Sequence, residues 1–393
     1  MEAVANKSVD KRAMSVLSAG HLFTDLNQGA VAALIPFLVA ERGLSLAAAG
    51  VLVLAATVSS SVVQPLFGVF SDSRPLPVLM PLGILFAGVG MALVGISPSF
   101  TTIFLSVILS GLGVAAFHPE SARFANYVSG SRRARGMSFF SVGGNAGFAL
   151  GPVVTTPLVL VFGLPGTLFL ALPAAIMAGI MFFELPRLRS FQPTVADHER
   201  SGRQTVEAPE HWGPFVRMIG VVTIRSFVYF GLVTFVASYY ERVLHTSTAL
   251  GNAALTVMLA CGAVGTLLMG PLADRFGRRT VLGASMLLMA PLIFAFTFLG
   301  PVPGMALLGV IGAVTVGTFG VTVVMGQEYL PGRIGLAAGI TMGLSIGLGG
   351  MGAPIFGVVA DNYGLSTAIL VMAALPLIGL LLTFTLPVKT SKM

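Results

Sequence analysis

The sequence predicts an all-α polytopic membrane protein, with twelve transmembrane helices in two pseudo-symmetric six-helix halves. Three observations carry that expectation. Hydrophobic residues make up 55% of the 393-residue chain and charged residues only 9%, too few to keep a soluble enzyme in solution. Apolar runs long enough to cross a ~30 Å hydrocarbon core recur from end to end. A Gly-x-x-x-Asp motif also appears twice, as Gly68–Asp72 and Gly270–Asp274, once in each half of the chain. The 48 glycines and 23 prolines suit such a bundle. Small residues let helices approach closely, and neighbours re-satisfy backbone bonds that proline breaks.

Apolar runs read against turn and charge signals place the helices at 15–40, 47–70, 76–96, 101–126, 135–162 and 166–185. The second set falls at 215–240, 248–272, 280–299, 303–328, 335–360 and 366–387. The only long connection is polar and proline-containing. It divides the chain into an N-terminal half at 1–185, a cytoplasmic linker at 186–214 and a C-terminal half at 215–393. Eighteen of the 22 Lys and Arg residues fall on the N-terminus, the even-numbered loops and the C-terminus, and only Arg42 and Arg242 fall on the other side. That bias puts both termini in the cytoplasm. It also accounts for the net charge of +7 without a nucleic-acid partner. The single cysteine, Cys261, lies in an apolar run and reads as a packing residue, so neither an intrachain disulfide nor a metal cluster is expected. The polar start leads into a full-length span containing Asp25, unlike a cleavable signal.

Six ionisable side chains interrupt the apolar runs: His21, Asp25, His118, Glu120, Arg123 and Arg225. Each placement costs roughly 2.5–3.5 kcal/mol on insertion scales, so such residues usually line a cavity or a pathway. His21, Asp25 and Gln28 follow i, i+4, i+7 and share one helix face. Asp25 lies near mid-membrane, as a proton carrier requires, or it is held permanently by a neighbouring helix. Arg225 follows Asp25 at nearly the spacing that separates the two Gly-x-x-x-Asp copies, so the two charges occupy near-equivalent positions in opposite halves. A guanidinium there can bind an anion bidentately, with Tyr229 one turn further on, or it can serve a structural ion pair. Glu120 and Arg123 are spaced i, i+3 and can pair within their helix, in a proton relay or as a snorkelling structural pair. His118 lies off the Glu120 face and either packs or joins a relay. Gly143, Gly147 and Gly151 form a flat face that ends at Pro152 and includes Asn145. No Walker loop, metal-ligand spacing or nucleophile–base array is present, which disfavours ATP-driven transport and catalysis.

Gly270-Pro-Leu-Ala-Asp274-Arg275-Phe-Gly277-Arg278-Arg279 resembles the loop signature of the major facilitator superfamily. The first copy keeps Gly68, Asp72 and Arg74. A narrower resemblance, to the fosmidomycin-resistance transporters, rests on several segments from both halves. These are His21–Gln28, Gln64-Pro65-x-x-Gly68, Phe117–Arg123, Gly143–Pro152 and Gln327–Gly335. The resemblance implies the major facilitator fold and a proton-driven exporter working by alternating access, with no cofactor besides the proton gradient. The expected cargo is a small polar or anionic drug or metabolite such as a phosphonate, carried by a monomer in the lipid bilayer. His21, Asp25, His118 and Glu120 are then the candidates for proton coupling. Gln28, Arg123, Asn145, Arg225 and Tyr229 are the candidates for substrate contact. Gly68, Asp72, Arg74, Gly270, Asp274, Arg275, Gly277, Arg278, Arg279, Glu328 and Arg333 are expected to form the conformational gate. A proton symporter importing an organic anion, and a non-transporting receptor, are the competing readings.

Overall fold

The computed structural model describes residues 9–64, 66–67, 76–130, 132–191 and 209–387, which are helical with no strand among them. Each of the twelve expected spans has a helical counterpart. They are α1 (Lys11–Glu41), α2 (Leu46–Thr57), α3 (Leu79–Val94), α4 (Phe100–Val128), α5 (Arg133–Phe162) and α6 (Ala171–Arg189). The series continues with α7 (Trp212–Arg242), α8 (Thr248–Phe276), α9 (Arg278–Phe296), α10 (Pro301–Gly317, resuming as Phe319–Tyr329), α11 (Ile334–Tyr363, in pieces) and α12 (Leu365–Phe384). Among the described residues nine helical stretches are long and apolar enough to cross a membrane. Leu46–Val62 and Leu79–Val94 are shorter, and α11 is interrupted by a π-helical turn at Ile340–Leu344.

Polar residues punctuate these apolar helices where the backbone runs out of partners. Ser99 and Thr102 form a capping box that opens α4. Ser247 accepts from the Leu250 amide to open α8. The second helix is capped twice: Ser45 accepts from Ala48 N, and Asp361 accepts from the amides of Leu46 and Ala47, each at 2.9 Å. Gly277 and Gly364, with φ of +88° and +87°, end α8 and α11 in a conformation that L side chains rarely adopt.

Contacts group the chain into two compact units, residues 1–31 with 62–205 and residues 32–61 with 206–393. The C-terminal part of α1, from Ala32 on, and α2 thus pack with the helices after residue 206. A Cβ on Gly50 would lie 2.5 Å from the Ala353 carbonyl, and one on Gly357 2.5 Å from the Leu46 carbonyl, so α2 and α11 meet backbone to backbone. In the first unit Leu17, Ile84, Phe117, Phe124 and Met181 pack a core among α1, α3, α4 and α6. Lipid tails are as apolar as these side chains, so close packing rather than water exclusion holds the helices together.

Candidate functional site

The first unit gathers three ionisable groups from two helices. Asp25 lies near the middle of the 31-residue α1, and His21 is one turn before it. The His21 Nε2 atom is 3.2 Å from Asp25 Oδ2, His118 Nε2 of α4 is 3.1 Å from Asp25 Oδ1, and the two Nε2 atoms are 3.1 Å apart. All three side chains are 12–20% exposed. The expected helix face thus holds, and α4 turns His118 onto it.

The fifth helix completes the site. Its glycine face lies against the backbone of α1: a Cβ on Gly143 would come within 2.3 Å of the Ser18 carbonyl, and one on Gly147 within 2.1 Å of the Leu22 carbonyl. This approach brings the Phe140 carbonyl within 2.8 Å of His21 Nδ1 and stacks the Phe140 ring on the imidazole, with centroids 4.2 Å apart. A carbonyl only accepts, so His21 Nδ1 carries the proton and donates it. In neutral His21 the Nε2 atom is then a bare acceptor facing a carboxylate oxygen. Two acceptors at that distance repel unless a proton lies between them, so the contact calls for a proton on Asp25 or a second one on His21. The arrangement can take up and release a proton without rebuilding the backbone around it.

Glu120, two residues beyond His118 on α4, is fully buried, and its Oε2 lies 3.3 Å from Arg123 Nη1, the i, i+3 pair that the spacing predicts. Gln28 and Asn145 are half-buried, the latter next to Gly144 on α5.

The second unit holds Arg225, near the middle of the 31-residue α7. Only 1% of it is exposed. The helical run of α10 pauses at Thr318, which accepts a hydrogen bond from Arg225 Nη1 at 3.0 Å, while the Phe319 ring lies 4.7 Å from the guanidinium carbon. Among the described residues no carboxylate pairs with Arg225, and its buried Nη2 has no hydrogen-bond partner. Leaving such a donor unsatisfied costs about 1–3 kcal/mol, more for a charged group. A guanidinium in this state is chemically able to donate to an anionic oxygen. Tyr229 is half-buried one turn on, its ring 5.1 Å from that of Phe230. Thr318 and Phe319 are not among the expected site residues. The only local signal is the glycine pair Gly317 and Gly320 that brackets them.

Of the expected gate residues, Gly68, Asp72 and Arg74 lie outside the described residues. In the second copy Gly277 ends α8, and Gly270 has nothing within 4 Å of where its Cβ would be. Arg278 Nη1 pairs with Glu328 Oε1 at 2.5 Å, and Arg279 donates to the Thr383 and Phe384 carbonyls at the end of α12. Arg275 lies over the Phe276 ring and Asp274 is exposed. Arg333 pairs with Glu210 at 2.9 Å. The hydrogen bond from the Trp212 indole, together with Arg333, holds the Glu210 carboxyl below its ordinary range. These contacts tie the ends of helices together inside one unit.

An all-helical bundle that crosses the membrane many times, with ionisable groups at mid-helix and none of an enzyme's nucleophile–base arrays in its sequence, defines a transporter for small molecules. The family model described as Major Facilitator Superfamily matches residues 17–262 and 218–392, and the chain belongs to that superfamily. It is 33% identical to an uncharacterized MFS-type transporter, YfnC, of Bacillus subtilis, over 95% of this chain and 92% of the relative. It is 32% identical to the fosmidomycin resistance protein of Escherichia coli, over 94% and 92%. Among solved structures, a bacterial homologue of the human lysosomal transporter Spinster matches with a TM-score of 0.77, at 15% identity over 96% of this chain and 97% of that one. Relatives and fold alike are those of transporters, not enzymes.

Proposed function

We propose that the protein is a proton-coupled antiporter of the bacterial inner membrane, exporting a small polar or anionic drug or metabolite by alternating access of two six-helix halves. A phosphonate of the fosmidomycin type is the cargo suggested by the relative of that name. The observation that carries the reading is Arg225, a fully buried cation whose Nη2 has no hydrogen-bond partner among the described residues. A guanidinium stays charged at all working pH values, so it recognises the anion but cannot itself move protons. The His21–Asp25–His118 cluster supplies that second capacity, with Glu120 and Arg123 as a further pair on α4. Gln28, Arg123, Asn145 and Tyr229 are assigned to substrate contact. The linker at 186–214 joins the halves, the Arg278–Glu328 and Arg333–Glu210 pairs belong to the cytoplasmic gate, and one chain suffices for transport.

Substrate-induced proton release from the purified protein, measured across a panel of compounds, tests this reading. Phosphonates are expected to release protons from the wild type and not from Asp25→Asn. Silence with phosphonates and a response to lipophilic cations would overturn the assignment of Arg225.

A further inference from the structure

We propose that His21, His118 and Asp25 also form a binding site for a divalent first-row transition-metal ion of the zinc class. Four features of the first unit carry this. Two imidazole nitrogens and the two carboxylate oxygens converge: His21 Nε2 lies 3.2 Å from Asp25 Oδ2, His118 Nε2 lies 3.1 Å from Asp25 Oδ1, and the two Nε2 atoms are 3.1 Å apart. Ligands held ~2.0–2.1 Å from a tetrahedral ion are ~3.3 Å apart, and two imidazoles sharing that ion have ring centroids ~5 Å apart. The observed centroid separation is 4.9 Å, with the rings at 82°. The second feature is the hydrogen bond from His21 Nδ1 to the Phe140 carbonyl, which leaves Nε2 as the lone-pair atom. Metal-bound histidines almost always anchor their other nitrogen in this way. Third, Asp25 Oδ1 is buried and makes no hydrogen bond among the described residues, although His118 Nε2 is only 3.1 Å away. That contact has the length of a hydrogen bond without its direction, as expected where both lone pairs point to a third partner.

The fourth feature is space. A Cβ on Gly144 would lie 2.3 Å from His21 Nε2 and 2.7 Å from Asp25 Oδ2, so the bare α-carbon keeps a notch open against two of the ligand atoms. Two imidazoles and one carboxylate favour zinc-class ions over magnesium or calcium, which take oxygen ligands. Three protein ligands leave a coordination position for water or for an anionic oxygen of a bound molecule. The site stands on ligand geometry alone and holds whether or not the same cluster couples transport to protons.

The test is titration of the detergent-purified full-length protein with Co²⁺, read by its visible d–d bands, followed by displacement with Zn²⁺. One ion per chain is expected. His118→Ala and Gly144→Ala should each weaken binding by about tenfold or more. His211→Ala, which removes an exposed imidazole elsewhere, should leave it unchanged. Matched thermal melts of the metal-free variants show that they are folded, and His118→Gln serves if His118→Ala is not. Absence of saturable one-to-one binding, or binding that survives the loss of His118, overturns the proposal. No transport is measured, so metal binding without proton-driven export would sink only the antiporter reading.

Discussion

His21, Asp25 and His118 lie 3.1–3.2 Å from one another, whereas Arg225 has a hydroxyl, a ring face and, among the described residues, no carboxylate. Asp25 and Arg225 each sit near the middle of a 31-residue helix. Equivalent depth has therefore been put to different chemical use. The N-terminal cluster sets two imidazoles against one carboxylate and is internally paired. The C-terminal group is a fixed charge whose Nη2 has no hydrogen-bond partner among the described residues. Under the proposed function, the two halves keep the place of a buried charge while dividing energy coupling from recognition.

The largest expected effect lies on the N-terminal side. Asp25→Asn keeps the shape of the side chain and removes its titration, so proton-gradient-driven export in proteoliposomes should fall by two orders of magnitude or more. The melting temperature should change little. Full pH-dependent transport by this variant would erase the division between the two sites. Arg225→Lys comes next. An ammonium keeps the charge but cannot donate to Thr318, lie flat over Phe319 and present a second donor together. Affinity for an anionic substrate should drop about tenfold or more, equivalent to about 1.4 kcal/mol, with coupling to protons retained. Unchanged affinity would mean that Arg225 serves the fold.

A third effect concerns how the N-terminal site is held. In Gly147→Ala the new methyl would sit 2.1 Å from the Leu22 carbonyl, against backbone that cannot move aside alone. Overpacking of this kind typically costs about 1–3 kcal/mol. The loss should appear as a lower melting temperature together with impaired proton coupling, because α5 also carries the Phe140 carbonyl that orients His21. Loss of stability without any change in the pH dependence of transport would show that the glycine face only packs.

These contrasts are unequally legible in the sequence. The spacing of His21 and Asp25, the Glu120–Arg123 pair and the glycine face on α5 are local patterns, and helical geometry alone projects them correctly. The place of His118 is not legible, because it depends on how α4 is rotated about its own axis against α1. The Phe140 carbonyl carries no sequence identity at all. Thr318 looks like one more small residue in an apolar run, and only the pause in α10 reveals it as the partner of Arg225. The double cap on α2 is equally hidden, since Asp361 lies far along the chain from Leu46. Twelve spans can be read because lipid imposes length and apolarity on each helix separately. Contacts between helices far apart in the chain leave no such mark.

The smallest effects contrast two carboxylates that cap helix starts, one in each unit. Asp10 accepts from the Ala13 amide at 2.9 Å and from Arg187 at 2.8 Å, while Asp361 caps α2 from α11. Either Asp→Asn change should cost about 0.5–1 kcal/mol, because the caps are solvent-accessible and an amide still offers one acceptor. Their pH behaviour sharpens the comparison. Partial burial pushes the Asp10 carboxyl up, but the Ala13 amide and the Arg187 guanidinium outweigh it and hold the group below its ordinary range. A carboxyl lowered in the folded protein contributes stability that is fully present above its unfolded value and is lost as the pH falls through the folded one. Wild type and Asp10→Asn should therefore differ in melting temperature near neutrality and converge below about pH 4, with the gap reduced by salt. A gap that persists under acid would assign the role of Asp10 to the shape of its side chain rather than to its charge.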